Sequence, residues 1–182
     1  MKELITLIDE QKINQRITEL ANKINEDYKG KEFILVSILK GSIFFTVELA
    51  KKLNNPNVKL EFMKVSSYNN KTISSGKIKL QLDVLKKDIK GKDIIVIEDI
   101  VDTGNTLAYL IEHLKDKEPN SIKLCTLLDK PERRKTQVKV DYVGFTIPNE
   151  FVVGYGLDTG GYYRCLPYVG CLKEKKLTKV KK

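Results

Sequence analysis

Residues 94–106 constrain the fold of this chain more than any other segment. They begin with four β-branched apolar residues, Ile94-Ile95-Val96-Ile97, which is typical of a strand buried on both faces in a parallel sheet. The acidic pair Glu98-Asp99 comes where this strand should end, and a short polar turn follows it. The next apolar residues are spaced as one face of a helix, at Leu107, Leu110, Ile111 and Leu114. This order of strand, turn and helix predicts one unit of an α/β sheet.

The turn itself, Asp102-Thr103-Gly104-Asn105-Thr106, is suited to bind a phosphate group. A helix start offers unpaired N–H groups and the positive end of the helix dipole. The glycine lets the backbone approach a ligand closely, and the two threonines add hydroxyl donors. Since Glu98 and Asp99 would repel a phosphate, they fit the hydroxyls of an attached sugar or a metal ion. In open α/β sheets ligands bind at the carboxyl ends of strands, so the segment predicts a sugar-phosphate site.

A structural interpretation of the same turn is also open. Thr and Asn are ordinary helix caps, and acidic residues near a helix start are stabilised by the dipole. However, Glu98, Asp99 and Asp102 place three carboxylates beside one turn, and their repulsion costs stability unless a ligand or cation compensates. This cost favours a functional site.

The segment resembles the phosphoribosyl-pyrophosphate (PRPP) binding motif of type I phosphoribosyltransferases. The rest of the chain is similar to bacterial hypoxanthine-guanine phosphoribosyltransferases in segments that follow the same order, at residues 39–42, 66–68, 127–131, 141–145, 151–158 and Arg164. The resemblance implies an α/β fold with a mainly parallel central sheet flanked by helices and a small β-rich hood. It also implies a single phosphoribosyltransferase domain over residues 1–182.

The reaction that the resemblance implies is transfer of the 5-phosphoribosyl group from PRPP to a 6-oxopurine, hypoxanthine or guanine, with release of pyrophosphate. In the matching positions, residues 102–106 would hold the 5-phosphate. Glu98 and Asp99 would hold the ribose hydroxyls, directly or through Mg²⁺. Asp102 would also act as general base for the purine N7 proton. The alternative is that Asp102 only caps the following helix.

Three further residues match the pyrophosphate side of the family's site. Lys40 and Gly41 correspond to a loop whose peptide bond before the lysine is often cis, although an ordinary turn could carry the same residues. Arg164 would clamp the pyrophosphate, and Asp158 would bind a second Mg²⁺. Between them the chain reads Thr159-Gly160-Gly161-Tyr162-Tyr163, where relatives usually carry an aromatic residue followed by Asn-Glu. The glycines are expected to loosen this segment and weaken the second metal site.

The residues that match the purine side of the family's site are Lys130, Phe151, Val152 and Asp158. Lys130 matches the lysine that donates a hydrogen bond to the purine 6-oxygen, so that a 6-amino purine would be rejected. Phe151 would stack on the base, or alternatively pack in the core, and the backbone of Val152 would read the edge of the base. The resemblance leaves the ranking of hypoxanthine, guanine and xanthine open.

A polar segment at residues 66–76 shows no periodicity and is longer than a typical connection. Its Ser67 and Tyr68 match the family's mobile loop, which closes over the reaction centre. The alternative is a surface connection without a catalytic role.

Hydrophobic periodicity places the other elements. A helix is predicted along Ile13, Ile17, Leu20, Ala21 and Ile24, ending near Lys29-Gly30. Residues 33–39 and 122–128 are predicted as buried strands, and Val58, Leu60 and Phe62 alternate as a third. A second helix is expected to use the apolar face Phe44, Val47, Ala50 and Leu53. Residues 139–172 have strand signals only and are assigned to the hood.

The composition excludes several other classes of protein. No apolar run is long enough to span a membrane, and the start Met-Lys-Glu-Leu carries no signal-peptide core. Cys125, Cys165 and Cys171 lack Cys-x-x-Cys spacing, which indicates reduced thiols in the cytoplasm. The single histidine, His113, is predicted to face solvent, so histidine-dependent nucleophilic catalysis has no support.

The net charge of +9 raises the question of nucleic-acid binding. Residues 173–182 carry about +5 of it, which leaves an ordinary charge on the remainder. A PRPP-binding regulator of RNA, like the pyrimidine-operon attenuation protein, nevertheless remains an alternative on the same fold, as does a PRPP-binding scaffold without turnover. Residues 127–131 and 151–155 match the purine enzymes instead. Relatives of that kind form homodimers or homotetramers, which is the assembly expected here.

Overall fold

The computed structural model describes residues 2–67 and 78–174, which form two sheets and the helices around them. The strands are β1 (Lys2–Ile8), β2 (Phe33–Leu39), β3 (Val58–Ser67), β4 (Ile78–Leu82), β5 (Asp93–Val101), β6 (Ser121–Asp129), β7 (Tyr142–Thr146), β8 (Val152–Val153) and β9 (Val169–Glu174). The helices are α1 (Glu10–Asp27), α2 (Ile43–Lys51), α3 (Lys86–Ile89) and α4 (Asn105–Lys115), with a 3₁₀ turn at Pro131–Arg133.

The central sheet has the strand order β4-β3-β2-β5-β6-β7. All neighbours pair in parallel except β3 and β4, which are antiparallel. The predicted mainly parallel α/β fold is therefore confirmed. In β5 the residues Ile95 and Ile97 belong to one hydrophobic cluster and Ile94 and Val96 to another, so that this strand is buried on both faces as predicted.

The first helix follows its sequence pattern closely. The side chains that α1 buries are those of the predicted apolar stripe, Ile13, Ile17, Leu20, Ala21 and Ile24. The Asp9 carboxylate caps its start by accepting a hydrogen bond from Lys12 N at 2.8 Å. Gly30, just beyond its end, has a φ of 72°, which glycine adopts without steric cost.

The predicted apolar face of α2 was wrong for Phe44 and Val47, whereas Ala50 and Leu53 pack against the hydrophobic core as predicted. The helix buries Phe45, Thr46 and Leu49, whereas Phe44 and Val47 are 39% and 44% exposed. The reason is a buried hydroxyl cluster, in which Ser37 Oγ of β2 lies 2.8 Å from both Ser42 Oγ and Thr46 Oγ1. A polar residue, Thr46, therefore lies on the buried face of α2, and apolar spacing alone misplaces Phe44 and Val47.

The hood is an antiparallel sheet of β1, β9 and β8. One expectation about it needs correction, and one of its strands was not predicted. Residues 142–146 were assigned to the hood, but they form β7 and pair in parallel with β6 at the edge of the central sheet. The strand β1 was not expected, because most of its side chains are exposed and its partner β9 lies at the opposite end of the described chain.

None of the helices in the described part of the chain combines the length and the apolar character needed to cross a membrane.

Candidate active site

The site lies at the carboxyl ends of β2 and β5, which are parallel neighbours in register up to Ser37 and Ile97. The loop after β2, the acidic pair and the turn before α4 therefore meet at one sheet edge. A cavity of about 330 Å³ opens there. Its lining includes most of the predicted PRPP residues, namely Gly41, Glu98, Asp99, Asp102, Thr103, Gly104, Thr106, Asp158 and Arg164.

The turn before α4 bends at Gly104, which has a φ of 84° and precedes the first helical residue, Asn105. A side chain at Gly104 would collide with the carbonyl oxygen of Thr136, so this position requires glycine. Within the described residues, no side chain makes a capping hydrogen bond to the start of α4. The alternative role of Asp102 as a helix cap is therefore not realised, and its carboxylate instead accepts a hydrogen bond from Arg133 Nε at 2.7 Å.

The acidic pair is partly buried beside this turn. Burial raises the pKa of Glu98 well above its usual range, and the neighbouring Asp99 carboxylate raises it further. Burial also raises the pKa of Asp99, against the effect of a hydrogen bond that its Oδ1 accepts from Ile100 N at 2.7 Å. The pair is a site where a bound hydroxyl group or cation would remove an electrostatic cost.

The loop after β2 carries the cis peptide bond expected from the family, between Leu39 and Lys40. Lys40 is exposed, whereas Gly41 and Ser42 are buried. Ser42 Oγ donates a hydrogen bond to Ile38 O at 2.6 Å, which fixes the loop on the end of β2. A side chain at Gly156 would collide with the carbonyl oxygen of Gly41, so the segment between β8 and β9 packs directly on this loop.

Asp158 and Arg164 face each other at the edge of the cavity. Arg164 Nη2 lies 2.5 Å from Asp158 Oδ1, and its Nη1 donates to Gly156 O at 2.5 Å. Asp158 Oδ2 accepts a hydrogen bond from Gly161 N at 2.7 Å. The segment that departs from the family pattern is a turn with positive φ at Gly160, Gly161 and Tyr163, and the expectation that its glycines loosen it stays a prediction.

The predicted purine residues lie at the end of β6 and the start of β8. Lys130 is buried, its Nζ donates to Glu150 O at 2.5 Å, and burial lowers its pKa. Phe151 is 57% exposed, so it does not pack in the core. Val152 is buried and pairs with Cys171 in the hood.

The predicted polar loop of residues 66–76 begins later than expected, because Ser66 and Ser67 are the last residues of β3 and pair with β4. Tyr68 and the rest of that prediction lie outside the described residues. The expectation for His113 was also wrong. Its side chain is half-buried, with Nε2 only 2.8 Å from Asp83 Oδ2, a contact between residues 30 positions apart that local sequence does not reveal.

One group of site residues was missed in the sequence. Residues 133–136, directly after the predicted purine lysine, contact the turn before α4 from Asp102 to Asn105. The signal that could have found them is the pair Arg133-Arg134, two cations placed three and four residues after Lys130 and facing a predicted anion site.

Comparisons with known proteins agree on one kind of relative. The family described as phosphoribosyl transferase domain matches residues 6–159. A hypoxanthine-guanine phosphoribosyltransferase of Streptococcus pneumoniae is 49% identical over 169 residues, which is 93% of each chain. A crystal structure of a hypoxanthine-guanine phosphoribosyltransferase from Bacillus anthracis, with HEPES in its active site, is 44% identical with a TM-score of 0.86, and the match covers 93% of this chain and 99% of that one.

A longer protein also matches. The bifunctional protein TilS/HprT of Listeria monocytogenes is 46% identical over 167 residues, which is 92% of this chain. The match covers 26% of that protein, so this chain spans about a quarter of its length.

Proposed function

The chain belongs to the phosphoribosyl transferase domain family, and on that premise we propose that it is a hypoxanthine-guanine phosphoribosyltransferase of purine salvage. It transfers the 5-phosphoribosyl group of PRPP to hypoxanthine or guanine, giving IMP or GMP and pyrophosphate. The observation that carries this proposal is a single cavity lined by the acidic pair, the turn before α4, Gly41 and Arg164. We assign residues 1–182 to one domain of this type.

PRPP binding divides among three groups in this cavity. The turn of residues 102–106 holds the 5-phosphate, an assignment supported by the start of α4, which lacks a side-chain cap within the described residues. Glu98 and Asp99 hold the ribose hydroxyls. Lys40, the backbone amide of Gly41 and Arg164 hold the pyrophosphate, an assignment supported by the presence of Gly41 and Arg164 in the lining of the same cavity as the turn.

Mg²⁺ is the metal that the donor set fits, because carboxylate oxygens are its usual protein ligands. Glu98 and Asp99 would hold one ion beside the ribose, and the raised pKa of both groups supports a place for a cation there. When bound, Mg²⁺ supplies positive charge to PRPP. Asp158 would hold a second ion only after exchanging its contacts with Arg164 and Gly161. Within residues 2–67 and 78–174, no group of three or more His, Cys, Asp or Glu side chains is arranged to hold a metal ion.

Chemistry takes place at C1 of the ribose. The bond from C1 to the pyrophosphate oxygen breaks as the bond from C1 to purine N9 forms, and C1 passes through an oxocarbenium-like state. Asp102 accepts the proton that purine N7 loses, a role supported by its place in the lining of the cavity. Arg164 stabilises the charge of the departing pyrophosphate.

Purine recognition uses Lys130, Phe151 and Val152. Lys130 donates to the purine 6-oxygen in place of its present bond to Glu150 O. The exposed ring of Phe151 is free to stack on the base. The backbone of Val152 reads the purine edge. Because Lys130 has only donors, a 6-amino group would be left without an acceptor.

Separate incubations of the protein with PRPP, Mg²⁺ and hypoxanthine, guanine, xanthine or adenine test this function. We expect nucleotide from hypoxanthine and guanine and a far lower yield from adenine. The relatives named above favour this enzyme over a PRPP-binding regulator of RNA. Filter binding with RNA across several salt concentrations serves as the parallel assay. RNA binding without nucleotide synthesis would overturn the proposal. PRPP binding without RNA binding and without nucleotide synthesis would also overturn it and would indicate a scaffold.

Two further properties belong to the same proposal. The protein forms a homodimer or homotetramer, for which the adjacent exposed apolar side chains Ile43, Phe44 and Val47 on α2 offer a contact surface. Sedimentation equilibrium measures the assembly. The protein acts in the cytoplasm, which is the location predicted from its sequence.

A further inference from the structure

Residues 133–136, here called the brace, contact the turn before α4. This turn, residues 102–106, is here called the PRPP turn. The backbone amides of Lys135 and Thr136 both donate to Thr103 O, at 2.9 and 3.0 Å. The side-chain contacts are Arg133 Nε to Asp102 Oδ1 at 2.7 Å and Thr136 Oγ1 to Asn105 Oδ1 at 2.7 Å. The turn is thus held from Asp102 to Asn105 by one neighbouring segment.

Arg134 is the buried member of the brace. Its side chain is 8% exposed and its Nη2 pairs with Asp129, the last residue of β6. A methyl group at Gly104 would lie 3.1 Å from Arg134 Cδ, so this side chain lies directly against the sharpest point of the turn. Its Nε and Nη1 are also buried and find no hydrogen-bond partner within residues 2–67 and 78–174.

This arrangement is a costly way to build a core. Buried donors without partners lower stability, and a buried ion pair can often be replaced by apolar residues without loss. Stability alone therefore does not account for a guanidinium at this position. The position of the guanidinium gives a reason for it. Arg134 links the end of β6 to the PRPP turn and limits where the backbone of Gly104 can lie.

We propose that Arg134 is a positioning residue that sets the geometry of the PRPP turn for the 5-phosphate group. The identity of the phosphate ester rests on the proposed function. Arg134 acts through the backbone of the turn and not by touching the purine, so its removal should weaken binding of the phosphate group selectively. A residue that only stabilised the fold would affect ligands with and without the phosphate alike.

The test compares GMP with guanosine by titration calorimetry in four variants of the full chain. Arg134→Met removes the guanidinium, and Arg134→Lys keeps a cation for Asp129. Asp129→Asn combined with Arg134→Met removes the whole ion pair and so avoids an unpaired buried carboxylate. Lys139→Met is the matched control, because it removes a cation from the same connection at a side chain that is 87% exposed.

We expect Arg134→Met and the double variant to bind GMP roughly tenfold to hundredfold more weakly, the loss that a small misplacement of a binding group produces. Guanosine binding should change by less than about twofold, well under the smallest of these losses. Arg134→Lys should lie between wild type and Arg134→Met, and Lys139→Met should match wild type. The melting temperature of the double variant should stay near that of wild type.

Two results would overturn the inference. Equal losses for GMP and guanosine would indicate a structural role only, and wild-type GMP affinity in the folded double variant would remove the role altogether. Inorganic phosphate is the third probe, because it needs no purine site. If wild type bound phosphate but not GMP, the proposed function would fail, while the effect of Arg134 on phosphate binding would still be measured.

Discussion

The carboxylate of Asp99 lies where a side chain on Gly41 would have to be. These two residues stand at the carboxyl ends of β5 and β2, parallel neighbours in the centre of the sheet. The contact brings the acidic pair that we assign to the ribose against the loop that we assign to the pyrophosphate. The bond that breaks in PRPP joins these two groups, so glycine at position 41 lets both binding sites approach one reaction centre.

Gly41→Ala should therefore displace Asp99 and raise the KM for PRPP by roughly tenfold to hundredfold, the cost of misplacing a binding group by a small distance. Steady-state kinetics with PRPP as the varied substrate would measure it. Gly30→Ala is the control for loss of stability. It places alanine at a positive φ, but the added methyl group meets open space and displaces no side chain. An unchanged KM in Gly41→Ala would show that the contact has no role in binding.

Asp102→Asn should lower kcat by about two to four orders of magnitude, the usual span for removal of a general base. The KM for PRPP should change little, because the amide side chain keeps the shape of the turn. Stopped assays with radiolabelled hypoxanthine cover that range. Asp116→Asn, an exposed substitution at the end of α4, is the matched control. Turnover within a few-fold of wild type in Asp102→Asn would rule out the assignment.

Lys130→Ala should lower the kcat/KM for hypoxanthine and erode discrimination against adenine. The reason is that the donor facing the 6-oxygen is lost, and with it the penalty for a 6-amino group. The measured quantity is the ratio of kcat/KM values for the two bases. Lys115→Ala, which removes an exposed lysine of α4, should leave that ratio unchanged. An unchanged ratio in Lys130→Ala would place the 6-oxygen elsewhere.

Glu98→Gln should stabilise the ligand-free protein more at pH 7.5 than at pH 5. Burial raises the pKa of Glu98 above its unfolded value, so the stability linked to its protonated form is present at low pH and is lost as pH rises through the folded pKa. The neutral side chain removes this loss. Melting temperatures at both pH values would measure it, with a gain on the order of a few degrees expected at pH 7.5. A variant less stable than wild type at pH 7.5, or equally shifted at both, would contradict it.

The sequence predicts the parts of the site that depend on local order. Four β-branched residues followed by Glu98-Asp99 place the acidic pair at a strand end, and parallel pairing then brings Gly41 beside it. The helix α1 is equally predictable, because its buried stripe has helical spacing throughout.

Contacts between distant segments account for what was missed. The strand β1 gains its structure only by pairing with β9, so its own residues give little signal. The face of α2 depends on hydroxyls in Ser37, Ser42 and Thr46 that satisfy one another only in the folded chain. The adjacent cations Arg133-Arg134 hint at the brace, but its contact with Gly104, about thirty residues earlier in the sequence, appears only in the folded chain.

A crystal structure of the protein with bound GMP tests most directly the claim that one cavity serves both phosphate and purine. We expect the 5-phosphate on the backbone amides of residues 103–106, the 6-oxygen within hydrogen-bond distance of Lys130 Nζ, and the purine ring stacked on Phe151. The bond from Lys130 to Glu150 O should be broken in that complex. A nucleotide bound outside the cavity, or with its phosphate away from the turn before α4, would contradict the assignment of the site.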